Sequence, residues 1–163
     1  MLPSYSRGHV VKHVTNKARA HVWLFGGPSA GEIRRLHPAG YDADLAAGAG
    51  ADRSADELRA NLQHWFDQLE AAWDALDEGL WDRQGIMAAG PRSMAEIVGH
   101  HLRNVEVHHV DLNVGYRPSD WPASFVEAEL AKRLRALPER ADHAELLAWL
   151  LGRAPAPELT KPW

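Results

Sequence analysis

Ten histidines in a chain of 163 residues are the first feature with chemical content. An imidazole can ligate a metal through one nitrogen, and it titrates near neutral pH. An α-helix turns about 100° per residue, so residues four apart lie about 40° from each other on one face. His9 and His13 form such a pair in SRGHVVKHV, and Asn104 and His108 form another in LRNVEVHHVD. His101, which precedes His108 by two helical turns, falls about 20° from it, so one face carries His101, Asn104 and His108 together. Two facing helices that present imidazoles inward can build a three-donor site for zinc or a similar divalent ion and leave one position open to water or substrate. Without a metal, His9, His101 and His108 are candidates for a general acid and base. The blander reading of hydrogen-bonded or part-exposed helix histidines stays open, because this spacing is a weak motif. Asp111, one turn after His108, can accept a hydrogen bond from that ring's other nitrogen. Glu106 points to the far side of the helix, where its spacing to His109 suits a pair.

These residues need helices to hold them. The first helical pattern begins at a serine cap, Ser4 or Ser6, carries Val10, Val11, Val14, Ala18 and Val22 at helical spacing, and is expected to stop at Gly26-Gly27-Pro28. Residues 26–53 are rich in Gly, Ala and Asp and hold Pro28 and Pro38; they read as a long loop, a lid or site wall, with one short helix near Glu32 to Leu36. A second long helix starts at Ser54, with Glu57 completing a capping box, and buries a stripe from Leu58 through Leu62, Trp65, Phe66, Leu69 and Trp73 to Leu76. A third starts at Ser93 with Glu96 in the same relation and runs to about Val114. A fourth spans Ala123 to Leu137, and a short fifth covers Asp142 to Leu151 before a Pro-rich tail. No strand pattern appears, so the expected class is all-α.

The composition narrows the function. Eighteen basic against 22 acidic residues give a net charge of −4, a poor field for nucleic acid. No run approaches the roughly 20 apolar residues of a membrane span, and MLPSYSRGH is too polar for a signal peptide, so a cytoplasmic protein with a small-molecule substrate is expected. Cysteine is absent, so any thiol nucleophile must arrive as a cosubstrate. GGPSAG at 26–31 lacks the Lys-Ser or Lys-Thr of a phosphate loop and reads as a helix-ending turn. The seven tryptophans read as packing residues, with Trp23 and Trp121 near the histidine segments. Arg34, Arg35 and His37 read either as contacts for an anionic substrate or as solvated loop charge.

The segments LPSYSRGHVVKHV (residues 2–14), LRNVEVHHVDLNVGYRPSDWP (102–122) and LLGRAPAPEL (150–159) resemble the mycothiol-dependent maleylpyruvate isomerase family, whose metal-binding part is a DinB-like helical bundle. The resemblance implies an up-down bundle over residues 1–137, with a long loop between the first two helices and a short C-terminal helix and tail over 138–163. It implies a divalent metal, usually zinc, with His13 and His108 as ligands, and a mycothiol-type thiol as cosubstrate. The family's glutamate ligand falls on Asn104, whose neutral amide oxygen is a weaker zinc ligand. The expected consequence is a weakened or rearranged site, with His101 as a replacement ligand, or none. Members carry a further helix before the LPSYSRGH segment, so this chain is expected to be N-terminally shortened: either its true start lies upstream, or one bundle helix is lacking and its apolar face is covered by a partner subunit, as in a homodimer, or by the C-terminal helices.

Three functions follow as expectations. The first is a metal-assisted, thiol-dependent isomerase or S-transferase acting on a small electrophile. The second is an enzyme repurposed for specialised biosynthesis, without metal or thiol, that uses histidine as acid and base. The third is a non-catalytic helical binding or stress protein.

Overall fold

The structure is a computed structural model that describes residues 5–37 and 40–159. Its helices are α1 (Arg7–Ser29), α2 (Ala43–Gly48), α3 (Ala55–Asp74), α4 (Met94–Asp111), α5 (Ala123–Ala136) and α6 (His143–Leu150), with a hairpin of β1 (Gln84–Met87) and β2 (Gly90–Ser93) between α3 and α4. The chain forms two compact units, Met1–Pro118 and Ser119–Trp163. Among the described residues, no helix is long and apolar enough to cross a membrane.

The helix α1 is central to the first unit, because it packs against α2, α3 and α4. Its opening SRGH explains itself residue by residue. Of the two expected caps, Ser4 lies outside the described residues, and Ser6 is the cap: its hydroxyl accepts from the His9 backbone N–H while the His9 ring answers the Ser6 backbone, a capping box with histidine in the usual glutamate place. Arg7 donates to the carbonyls of Leu112 and Asn113 at 2.9 and 3.1 Å. It thereby satisfies acceptors just past the end of α4, where Asn113 turns the chain with φ 51°. Gly8 is required by close approach, since a Cβ there would stand 1.9 Å from the Ala51 carbonyl oxygen.

The helix does not stop at Gly26-Gly27-Pro28 as expected; it runs to Ser29. Pro28 sits in the last turn, where the Ala30 and Gly31 N–H groups close back onto the Gly27 and Pro28 carbonyls, so little is lost by its missing N–H. Gly27 has no room for a side chain beside Glu32 and Arg34. The short helix expected at 32–36 is also corrected. That segment is extended, exchanging backbone bonds of 2.9 Å with Ile86 from Arg34 and Leu36, and the loop's short helix is α2, capped by Asp42.

Both capping boxes expected for α3 and α4 are present. The expectation of a helical bundle holds, with the hairpin as an addition to the all-α reading. Its strands, QGIM and GPRS, are each four residues long and contain two glycines and a proline, too little for an alternation signal. The hairpin enters the core rather than decorating it. Gly85 lies against the side-chain ends of Leu24, Met94 and Ile97, which a methyl group there would meet at 3.1–3.3 Å, and Met87 joins Leu24, Phe25, Leu36, Leu69 and Ile97 in one apolar cluster. Each fully buried large side chain of this kind contributes about 1.5–3 kcal/mol. In the second unit, Phe125 of α5 is buried against Trp121, and Asp142 caps α6, whose Leu146 is buried.

The core of the first unit also holds a polar pair. His21 (0% exposed) and His101 (6% exposed) meet through their Nδ1 atoms at 3.1 Å. His21 Nε2 is buried without a hydrogen-bond partner. The cheaper tautomer therefore has His21 Nδ1–H donating to His101 Nδ1, which leaves only a lone pair in the apolar surroundings. Burial lowers His101 to about 4 and, with the neighbouring His101 and His100 charges, drives His21 well down.

Two outcomes are expected. The unfolded chain binds protons at these rings near pH 6.5 whereas the fold does not, so stability is fully present above that pH and is lost as pH falls toward 4, by roughly 1 kcal/mol or more per ring. Thermal melts between pH 7.5 and 5 read this, and a flat profile would mean the rings are solvated. Gly8→Ala should lower the urea midpoint by the equivalent of about 1–3 kcal/mol, and an unchanged midpoint would mean that residue 51 does not cross α1 there.

Candidate functional site

Along α1 the residues His9, His13, Lys17 and His21 recur every fourth position and form one polar stripe. The stripe meets α4 running in the opposite direction: Arg7 reaches residues 112 and 113, His13 reaches 104 and 108, and His21 reaches 101.

His13 and His108 come together as the sequence reading proposed. Their ring centroids are 4.7 Å apart in an edge-to-face arrangement. His108 Nδ1 pairs with Asp111 Oδ2 at 2.9 Å. A neutral imidazole whose Nδ1–H is donated in this way carries its lone pair on Nε2. Asn104 lies between the helices, its amide nitrogen donating a long hydrogen bond of 3.4 Å to His13 Nε2, while its Oδ1 is buried with no hydrogen-bond partner among the described residues. Burial first, and then the charges of His108 and Lys17, lower His13 to about 4, so its ring is neutral at physiological pH.

His101 is not at this site. It shares the α4 face, but seven residues of helix amount to about 10 Å of rise, so one ring on α1 cannot serve both levels. His21 serves the other, with the edges of Phe66 and Trp73 closing around His101. His9 lies one turn before His13, and its Nδ1 is engaged by the Ser6 hydroxyl at 2.7 Å in the cap. Glu106 and His109, whose spacing suggested a pair, share a third residue. Tyr116 sits between them, donating to Glu106 at 2.5 Å and stacking on His109 at 3.9 Å.

Two site neighbours escaped the sequence reading. Lys17 is half-buried and its amine lies 3.4 Å from His37 Nε2. Burial lowers its pKa, and burial together with the Lys17 charge lowers His37 to about 4. The four-residue period of α1 was the signal that could have found Lys17. Tyr5 lies 6.5 Å from the His13 ring and donates a short hydrogen bond to Asp44; that bond, with burial, raises the phenol to about 12 and keeps it protonated. No periodicity precedes α1 to announce it.

The donor set fits a divalent ion in part. Two imidazole rings approach each other, and the orphaned Asn104 oxygen is the kind of buried acceptor that calls for a cation or donor. All three donors are neutral, however, and among the described residues no three His, Cys, Asp or Glu side chains come together so as to hold a metal. His101, expected as a replacement ligand, is committed to His21.

Comparison with known proteins gives a family and a fold. No curated protein matches the chain. The crystal structure of the mycothiol-dependent maleylpyruvate isomerase superimposes with a TM-score of 0.75 at 24% identity, over 80% of this chain and 55% of that one. A crystallised mutant of that enzyme, with a histidine changed to alanine, gives a TM-score of 0.75 at 23% identity with the same coverage. The chain thus spans about half the length of these enzymes, and at such identity the likeness is one of fold. The family described as the mycothiol maleylpyruvate isomerase N-terminal domain matches residues 1–113. With those residues covering most of the first unit, helix stripe and histidine pair included, the chain belongs to that family.

Proposed function

We propose that this chain carries the thiol-activating part of a mycothiol-type, thiol-dependent isomerase or S-transferase acting on a small electrophilic substrate. The observation that supports it is the approach of the His13 and His108 rings from separate helices to 4.7 Å, with Asn104 beside His13 carrying a buried, unpartnered oxygen. A divalent ion, zinc by the chemistry of two imidazoles, would be held by His13, His108 and Asn104, and when bound it would lower the pKa of a coordinated thiol.

The chain's own groups have defined tasks. The burial that keeps His13 neutral leaves a lone pair on Nε2, which accepts the long hydrogen bond from Asn104 and which a bound ion would take in its place. Asp111 holds the His108 ring through Nδ1, and the neutral ring held in this way has its lone pair on Nε2, the atom that would accept a proton. With no cysteine in the chain, the nucleophile is the cosubstrate's sulfur. That sulfur adds to an electron-poor alkene carbon, the double bond becomes single and turns, and expulsion of the same thiolate restores it. No atom is gained or lost.

A second reading is favoured by the neutral donor set. Without a metal, His108 Nε2 takes the proton directly, with His13 beside it, as an acid–base pair. Turnover that survives metal stripping but falls in His108→Ala would favour this reading.

Two measurements test the proposal. Isomerisation of maleylpyruvate in the presence of mycothiol should fall by at least about 100-fold in His13→Ala and His108→Ala; unchanged turnover in His13→Ala, with no zinc in protein purified without chelator, would reject it. Asn104→Glu supplies the missing anionic donor and should tighten zinc binding at least about tenfold in competition with a chromogenic chelator. Equal affinities would mean that the ion, if bound, sits elsewhere.

A further inference from the structure

A second feature of α1 is independent of the histidine pair. A cavity of about 970 Å³ lies between α1, α2, the extended segment at residues 35–37 and Trp65 of α3. Lys12, Arg19 and Arg35 line it together with His37 and Tyr41, and no aspartate or glutamate does. His13, Asn104 and His108 are not part of its wall.

Its cations stand without a carboxylate on the wall, in contrast to the paired cations of the chain, such as Arg34 with Glu32 at 2.8 Å, Arg59 with Asp56 at 2.6 Å, and Lys132 and Arg133 with Glu129. Among the described residues Lys12, Arg19 and Arg35 make no ion pair, and neither does Lys17, which stands behind His37, 3.4 Å from its ring. The chain has more acids than bases, so the lack of partners is not a shortage of carboxylates. Lys12 also stands within electrostatic reach of Arg19 on the same wall and of Arg53 outside it. Burial, Arg53 and Arg19 all act to lower the Lys12 amine. Like charges gathered on a concave, partly apolar wall cost free energy unless an anion joins them, and such walls concentrate anions from solution.

The wall has an apolar complement. Trp65 carries the Arg19 guanidinium 5.6 Å from its ring centre, and the His37 and Tyr41 rings stack at 3.9 Å with 8° between their planes. Flat surfaces beside fixed cations suit a planar body with charged substituents. The pair Arg34-Arg35 is divided between roles. Arg34 turns onto Glu32 and the Trp23 face, and Arg35 reaches the cavity.

We propose that this cavity is a binding site for a small, multiply charged organic anion with a flat apolar body, held by Lys12, Arg19 and Arg35 against Trp65 and the His37–Tyr41 stack. Carboxylate and phosphate groups share the required chemistry, and the site reads charge number and planarity.

Binding to the intact chain is followed by tryptophan fluorescence and calorimetry, with phthalate, phenyl phosphate and the uncharged phthalamide as probes. At least one dianion should bind at least tenfold more tightly than phthalamide, and its affinity should fall at least tenfold in Arg19→Gln and in Arg35→Gln, but not in the exposed control Arg92→Gln. The dianion that binds more tightly identifies the acidic group preferred. A dianion should also raise the melting temperature of the wild type but not of Lys12→Gln, a readout that needs no catalytic activity. Equal binding of phthalamide, no dianion binding at millimolar concentration, or unaltered affinity in both folded arginine variants would overturn the proposal. Because none of these readouts involves a thiol, a metal or turnover, its failure is separate from failure of the histidine site.

Discussion

The approach of the His13 and His108 rings depends on antiparallel packing of α1 against α4 with its register locked at one end. Arg7 sets that register by reaching the two carbonyls beyond α4, and Gly8 lets the chain at Ala51 close over the first turn of α1. From there each turn of α1 finds a fixed level of α4: residue 13 at 104 and 108, residue 21 at 101. Two imidazole pairs result, one with a carboxylate and an amide beside it and one sealed among aromatic rings. Their different surroundings give the same side chain two different uses.

Desolvation is the common electrostatic theme. His13, His21, His37 and His101 are all held neutral chiefly by burial. Lys17 feels the same force without a carboxylate to oppose it. A neutral imidazole keeps its lone pair, which ligation and proton acceptance both require. A lysine without a counterion makes its surroundings receptive to negative charge. The stripe on α1 therefore offers neutral lone pairs, and the wall beside it offers uncompensated positive charge, from adjoining faces of one helix.

Much of this was legible in the residues. The capping boxes at Ser54 and Ser93 marked the starts of α3 and α4 because their chemistry is local, involving a hydroxyl and a carboxylate three residues apart. The His13 and His108 pair followed from spacing and resemblance, and Asp111 from its position one turn on. The readings that failed were those in which a distant partner decides the outcome. A short helix was expected near residues 32–36, within a loop that lacks a sustained period, yet the open edge at Ile86 captures the segment as extended chain. Gly26-Gly27-Pro28 looks like a stop, but Arg34 and Glu32 pack against those glycines and the helix continues. His101 shares a face with His108, but height along the axis assigned it to His21. The cavity was invisible in sequence for the same reason, since its cations are scattered over 24 positions, from Lys12 to Arg35, and only folding gathers them.

One consequence follows from α1 serving three duties around its circumference: apolar contact through Val10, Val14 and Ala18, the histidine stripe, and the cavity wall at Lys12 and Arg19. A codon gained or lost between Arg7 and Lys17 would rotate every later side chain into its neighbour's role, burying cations and exposing valines while leaving the composition almost unchanged. This stretch can therefore diverge by exchanging residues but not by changing length, and a length difference here between two related chains would signal that both the histidine chemistry and the adjoining pocket had been abandoned together.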